Sequence, residues 1–185
     1  PFAKLAVESQ VGRIFVSPGP IYDPEGTAED YWRFAPLFRR IGVGERDIVQ
    51  NTFSYHLSPA GFMLDSAARA VGAKVVPAGT GNSALQVDIM RDLQVTVYAG
   101  TPSFLLHLLK TAEEKGWRVG QQLALNKAIF SAEKLTEEME HFFQERGIAY
   151  IDAYGTADFG CLAYRLPGEE GYTLLEDVYV QICDP

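Results

Sequence analysis

The 185-residue chain has little cysteine, little histidine and a deficit of positive charge. Its two cysteines, Cys161 and Cys183, stand far apart with no Cys-x-x-Cys spacing, which excludes a zinc site and a disulfide-stapled scaffold. None of its three histidines is paired by the sequence with a nucleophile. Acidic residues outnumber basic ones, 24 to 16, for a net charge of −8. No Lys/Arg run is interleaved with aromatics, so no nucleic-acid surface is expected. No apolar run approaches the length of a membrane span, no signal-peptide pattern opens the chain, and there are no repeats or low-complexity linkers. What remains is a chain that is 47% hydrophobic, globular in composition and long enough for one domain with a sizeable core. These absences predict a soluble, cytoplasmic protein. The chain starts at Pro1 rather than Met and stops at "VQICDP", just after a strand-like run. It therefore reads as a piece of a longer polypeptide, whose uncovered strand edge or apolar face leaves homo-oligomers open.

The stretch "RIFVSPGPIYDP", residues 13–24, is defined by what it lacks. A β-type run, Ile14 to Val16, leads into a loop of the kind that often grips phosphate. Yet this loop has no Thr, no Lys and a single Gly, and it carries Asp23.

Further on, strand-like and helix-like runs alternate. "RDIVQNTF", "AKVVPAG", "VTVYAG", "NKAIFSA" and "IAYIDAYG" read as strands. Between them, "SPAGFMLDSAARAVG" reads as a helix with Ser58 as N-cap, Pro59 in the first turn and Gly72 at its end. "NSALQVDIMRDLQ" carries Leu85, Ile89 and Leu93 at helical spacing. "PSFLLHLLKTAEEKGW" and "TEEMEHFFQERG" are the other two helices. This rhythm predicts an α/β fold: a mostly parallel sheet flanked by helices. From Cys161 onward the pattern becomes strand, Gly-rich turn, strand, which predicts an antiparallel hairpin at the C-terminal end. The division expected is residues 1–160 as a nucleotide- and acyl-binding α/β subdomain and 161–185 as the start of a β-rich one.

Open α/β sheets bind ligands at the carboxyl ends of their strands. The loops to inspect are therefore "TFSYHLSP", "PAGTGNS", "AGTPS", "FSAEK" and "AYGTADFG". Their Gly, Ser and Thr let backbone approach a ligand closely, and several open helices whose free N–H groups favour anions.

Four segments carry a resemblance. "AGTPSFLLHLL", "AIFSAEKLTEEM", "YIDAYGTADFG" and "GYTLLEDVYVQICDP", in that order, resemble the motifs of adenylate-forming enzymes, within them the phenylacetate–coenzyme A ligase branch. The likeness runs from about Gly12 to the last residue. It implies the central part of the large N-terminal domain of such an enzyme, with the small C-terminal domain absent from this chain. It also implies ATP (or AMP), Mg²⁺ and coenzyme A as co-substrate, a small carboxylic acid as partner, and two half-reactions through an acyl-adenylate.

By the same resemblance, Tyr154 lies against adenine, with Gly155 and Thr156 following it in the motif. Ser131, Ala132 and Glu133 cover the other face of the base, and Asp152 sits near the adenine amino group. Asp158 stands where the family has a magnesium-binding Glu; it is a methylene shorter but still an oxygen donor. Ala157 replaces a phosphate-contacting hydroxyl. Tyr55, with Ala99, Gly100 and Thr101 of the "AGTPS" turn, matches the acyl pocket. Plainer roles exist for several. Tyr154 could be a packed aromatic, Asp158 an acid at a helix N-terminus, and Glu176 and Asp177 ties between loop and strand ends. His56 reads as a loop histidine, and His107 and His141 as structural or exposed.

On the family pattern, "SPGPIYDP" falls where S-S-G-T-T-G-K-P grips pyrophosphate. Ser17, Gly19 and Pro24 are kept. Pro20 and Ile21 replace the hydroxyls, Tyr22 the second Gly and Asp23 the Lys. Prolines remove N–H donors and Asp23 reverses the charge. This is a phosphate loop by position and not by chemistry. The expected function is thus an acyl–coenzyme A ligase of AMP-forming type with a degenerate loop, or else a non-catalytic homologue that binds AMP or an acyl-adenylate.

Overall fold

The computed structural model describes residues 10–17, 19 and 21–183. What the sequence suggests for Pro18 and Pro20 lies outside these residues. The chain opens with an antiparallel hairpin, β1 (Val11–Ser17) and β2 (Ile21–Gly26). A short helix, α1 (Ala35–Arg40), follows. Then strands and helices alternate: β3 (Ile48–Asn51), α2 (Ala60–Ala70), β4 (Lys74–Pro77), α3 (Ser83–Asp92), β5 (Val97–Gly100), α4 (Pro102–Glu114), β6 (Lys127–Ser131), α5 (Glu137–Glu145) and β7 (Ala149–Thr156). The last strands are β8 (Gly160–Arg165) and the two-residue β9 (Thr173–Leu174).

The main sheet has seven strands in the order β4-β3-β5-β6-β7-β8-β9. β4 through β7 are parallel, while β8 and β9 add on antiparallel. The α/β architecture and the antiparallel C-terminal hairpin are therefore as expected. One finding goes further: β7 itself turns directly into β8 through residues 157–159.

Side chains alternate across the parallel strands, as a sheet covered on both faces requires. Val97, Ala99, Ile129 and Ile151 enter one core with α1 and α2. Tyr98, Ala128, Phe130 and Tyr150 enter the other with α3, α4 and α5. Below the sheet, Asp47 gathers the strand starts. Its carboxylate accepts from the Gly44 N–H at 3.0 Å, the Thr96 hydroxyl at 2.8 Å and the Lys127 ammonium at 2.9 Å.

Two local readings need correction. The stripe Leu85, Ile89, Leu93 is not the buried face of α3; Gln86, Val87 and Met90 are, and Leu85 and Leu93 are exposed. Helical spacing identified the helix but not its inward side, which a glutamine, Gln86, shares with Val87 and Met90. Residues 157–159 form a hairpin turn, so Asp158 is not an acid at a helix N-terminus. Among the described residues no helix is long and apolar enough to cross a membrane. Both cysteines are free, and burial pushes the Cys161 thiol up to about 12.

Candidate functional site

The order of the parallel strands reverses once. From β3 the chain runs outward to β4, then returns through α3 to place β5 on the other side of β3. Loops leaving the two strands on either side of such a switch point diverge and leave a crevice above the carboxyl ends. A cleft of about 410 Å³ occupies that place. Thr52, Phe53 and Ser54 come from the end of β3, Thr80 and Gly81 from the loop after β4, Thr101 and Phe104 from the β5–α4 turn, and Ala132 from the end of β6. Phe53 and Phe104 give apolar walls, and Thr and Ser hydroxyls lie around them.

The floor is held by hydroxyls. The Thr52 Oγ1 donates to Tyr98 Oη at 2.9 Å, and Tyr98 in turn donates to the Thr101 carbonyl at 2.9 Å. Burial, together with the nearby Glu133 charge, raises the Tyr98 phenol well above its ordinary value, so it stays a neutral donor. The approach is tight at Gly100, where a Cβ would fall 2.0 Å from Thr52 Oγ1. Only glycine fits there. Tyr55, expected in the acyl pocket, is not among the residues that line this cleft. It accepts from Asn51 Nδ2 at 2.8 Å and donates to Asp65 at 3.1 Å.

The turn after β6 connects the cleft to its neighbours. Ala132 has φ 72°, a left-handed value that costs a side chain energy. That turn aims Glu133 at the start of α4, where it accepts the Ser103 N–H and the Ser103 hydroxyl. Ser131 Oγ donates to the Ala153 carbonyl at 2.8 Å, tying the same turn to β7. The structure thus brings Ala99, Gly100, Thr101, Ser131, Ala132, Glu133, Tyr154 and Gly155 to one end of one sheet.

Tyr154 is 56% exposed, its ring 6.3 Å from that of Tyr172 in an edge-on arrangement. It is therefore not a core aromatic; its face is open. Gly155 packs against the Gly160 carbonyl and Phe34, leaving no room for a side chain. Asp152 lies underneath, 2% exposed, with Oδ2 accepting from Tyr172 at 2.6 Å and from Arg165 at 3.3 Å. Burial and then this carboxylate push the Tyr172 phenol up to about 12. Thr156 Oγ1 accepts the Phe159 N–H at 3.1 Å and so closes the β7–β8 turn, with Asp158 exposed at its tip. No group of three or more metal-ligating side chains occurs among the described residues. Asp158 is a single open carboxylate, a donor that suits a magnesium ion drawing its other oxygens from phosphates and water.

The opening stretch behaves differently from a phosphate loop. Tyr22, Asp23 and Pro24 belong to β2. Asp23 is 3% exposed and accepts a hydrogen bond from Ser17 Oγ across the hairpin. Gly19, at φ 135°, forms the tip. The hairpin reaches the cleft loops through Val16 N–H, which donates to the Leu57 carbonyl at 2.9 Å. The residues that sequence reasoning missed are mostly partners: Tyr172, Arg165, Tyr98, and a buried pair, Gln50 and Gln86. Spacing gives no signal for contacts made between distant turns.

No family profile matches the chain. The phenylacetate-coenzyme A ligase of Pseudomonas putida is 29% identical over 198 residues, covering all of this chain and 45% of that enzyme. The enzyme of the same name from Escherichia coli K12 matches at the same identity and coverage. The chain thus spans a little under half the length of these curated relatives. Among solved structures, an open conformation of 2-hydroxyisobutyryl-CoA ligase with 2-HIB-AMP and CoA superposes with TM-score 0.83 at 21% identity, over 97% of this chain and 45% of that one. That likeness establishes the fold.

Proposed function

We propose that this phenylacetate–coenzyme A ligase-like chain, with the fold of the N-terminal domain of adenylate-forming enzymes, supplies the acid cleft and the adenine platform of an AMP-forming acyl–coenzyme A ligase. The observation that carries the reading is the cleft at the switch point. Its apolar walls suit an aryl or acyl side chain, and Ala132 lines it while the adjoining Ser131 is bonded to the residue before the open Tyr154 ring. Acid and nucleotide would therefore meet over one turn.

The chemistry needs two displacements. A carboxylate oxygen attacks the α-phosphorus of ATP; a P–O bond forms, the bond to the β-phosphate breaks and pyrophosphate leaves. The thiolate of coenzyme A then attacks the acyl carbon and AMP leaves. This chain's part is to bind and orient. Tyr154 offers a stacking face to adenine, and the Ser131–Glu133 turn covers the other side. Asp152, with Oδ2 occupied, would reach an adenine amino group through Oδ1. Asp158 would hold the magnesium ion that neutralises phosphate charge.

A second reading is favoured by one observation: β1–β2 is a closed hairpin in which Asp23 is spent on Ser17 rather than offered to a ligand. A protein that binds AMP or an acyl-adenylate without gripping pyrophosphate fits that hairpin. Acid-dependent exchange of labelled pyrophosphate into ATP, measured on the polypeptide that carries this chain, separates the two. The ligase reading expects exchange with at least one aryl or acyl acid. AMP binding with no exchange across a panel of acids selects the second.

A further inference from the structure

The loop between β4 and α3 runs through three left-handed residues in four, Gly79 at φ 65°, Gly81 at φ 79° and Asn82 at φ 48°. A Cβ on either glycine would meet nothing within 4 Å. These glycines serve backbone conformation and not close packing. Glycine backbone of this kind samples many conformations unless something holds it.

Gln86 does the holding. Its Nε2 donates to the Gly79 carbonyl and to the Gly81 carbonyl, each at 2.9 Å. Both amide protons are thereby used. Its Oε1 accepts from Gln50 Nε2 at 2.9 Å. Gln50 is fully buried on β3 and Gln86 is 3% exposed on α3. From the strand side, Gly79 N–H donates to the Asn51 carbonyl at 3.1 Å. The arrangement is not built for stability alone, since Gln50 Oε1 is left buried with no donor. An apolar pair would fill the space without that cost. What the amides secure, and an apolar pair could not, is the loop that puts Thr80 and Gly81 against the cleft.

We infer that Gln86, seated on Gln50, is a positioning residue that fixes the Gly79–Asn82 loop as one wall of the cleft and so sets the size of acid admitted. The second half of this inference rests on the acid-cleft reading above; the first does not.

Two measurements on the protein with Gln86→Met, which matches volume, and Gln86→Glu, which keeps the acceptor for Gln50 but removes both donors, test the two halves. Hydrogen exchange followed by mass spectrometry should show faster exchange in residues 78–83 of both variants, with β5 and α4 unchanged. Calorimetry with phenylacetate and the bulkier 1-naphthylacetate should show phenylacetate binding weakened about tenfold if the held loop falls to about a tenth of the population. The preference between the two acids should shrink. Unchanged exchange at 78–83, or acceleration shared by the whole chain, overturns the clamp. Local acceleration with unaltered affinity and preference overturns the size-setting role. Local acceleration in a protein whose unaltered form binds neither acid upholds the clamp and refutes the acid-cleft reading instead.

Discussion

The Glu133 carboxylate caps α4 from another turn: Oε2 lies 2.8 Å from the Ser103 hydroxyl while Oε1 accepts the Ser103 N–H. An acid there answers the free N–H groups and the positive end of the helix dipole. Glu133→Ala should therefore cost about 1–2 kcal/mol, in the range of a lost cap. Glu133→Gln should recover part of it. Urea unfolding of the two variants checks this; equal loss in both would assign the effect to charge alone.

Asp23 and Ser17 form a pair inside the hairpin, so their effects should be coupled. Ser17→Ala takes a hydrogen bond from the buried Asp23 carboxylate and should cost about 1–3 kcal/mol; Asp23→Ala leaves only the half-buried Ser17 hydroxyl without its partner and should cost about 1 kcal/mol. The double variant should cost less than the sum, as residues in direct contact do. The same pairing bears on restoring a basic phosphate loop. Asp23→Lys would bury an ammonium where a carboxylate belongs, so the hairpin should loosen before any gain in ATP affinity appears. Hairpin exchange rates, measured beside ATP titrations, would show this order.

Tyr154 is more exposed than buried, and its ring meets that of Tyr172 edge-on. Tyr154→Ala should leave the unfolding midpoint almost unchanged, because exposed positions away from special features move stability by about 0.5 kcal/mol or less. AMP binding should nonetheless weaken by about 1–3 kcal/mol, the worth of one stacked base. Calorimetry with AMP reads the second and urea unfolding the first. A stability loss that accounts for the affinity loss would return Tyr154 to a packing role.

Asp47 should make the chain acid-sensitive. Burial alone would raise its carboxyl, but the hydrogen bond from Lys127, then those from Thr96 and Gly44, hold it below the ordinary 3.8. A carboxyl lowered on folding gives stability that is fully present above the ordinary value and is lost as pH falls through the lowered one. Wild type should exceed Asp47→Asn in stability near pH 6, and the gap should narrow below about pH 4. A gap independent of pH would mean that the substitution acts through shape.

Most of the architecture was legible because periodicity reports it. Short apolar runs bounded by turn residues, such as Val97–Gly100 and Ala128–Phe130, fit strands buried on both faces, and their length and alternation with helical runs decide for strand over helix. The cleft was legible for a topological reason, since alternating strands and helices dictate where loops gather. Less legible was everything that depends on a partner distant in sequence. Gln86 looks like helix surface until Gln50 and the Gly79–Asn82 loop are placed around it. Asp23 looks like a charge that repels phosphate from the loop until Ser17 is placed opposite. Tyr154 was identified by its motif, and only the structure distinguishes an open ring from a packed one.

The order of the strands also has a kinetic side. β5, β6, β7 and β8 each lie beside their successor in the chain, so this part of the sheet can grow as the chain is added. Val49 must instead wait for Val97, with α2, β4 and α3 looped out between them. A longer closure costs more entropy before its contacts repay it. The seam that carries the cleft is thus the one expected to join last as the chain folds and to part first when it breathes. In pulse-labelling, the Thr52 amide, which donates to the Ala99 carbonyl across this seam at 2.8 Å, should gain protection after those of Ile129 and Ile151, which makes the crevice the youngest feature of the folded chain.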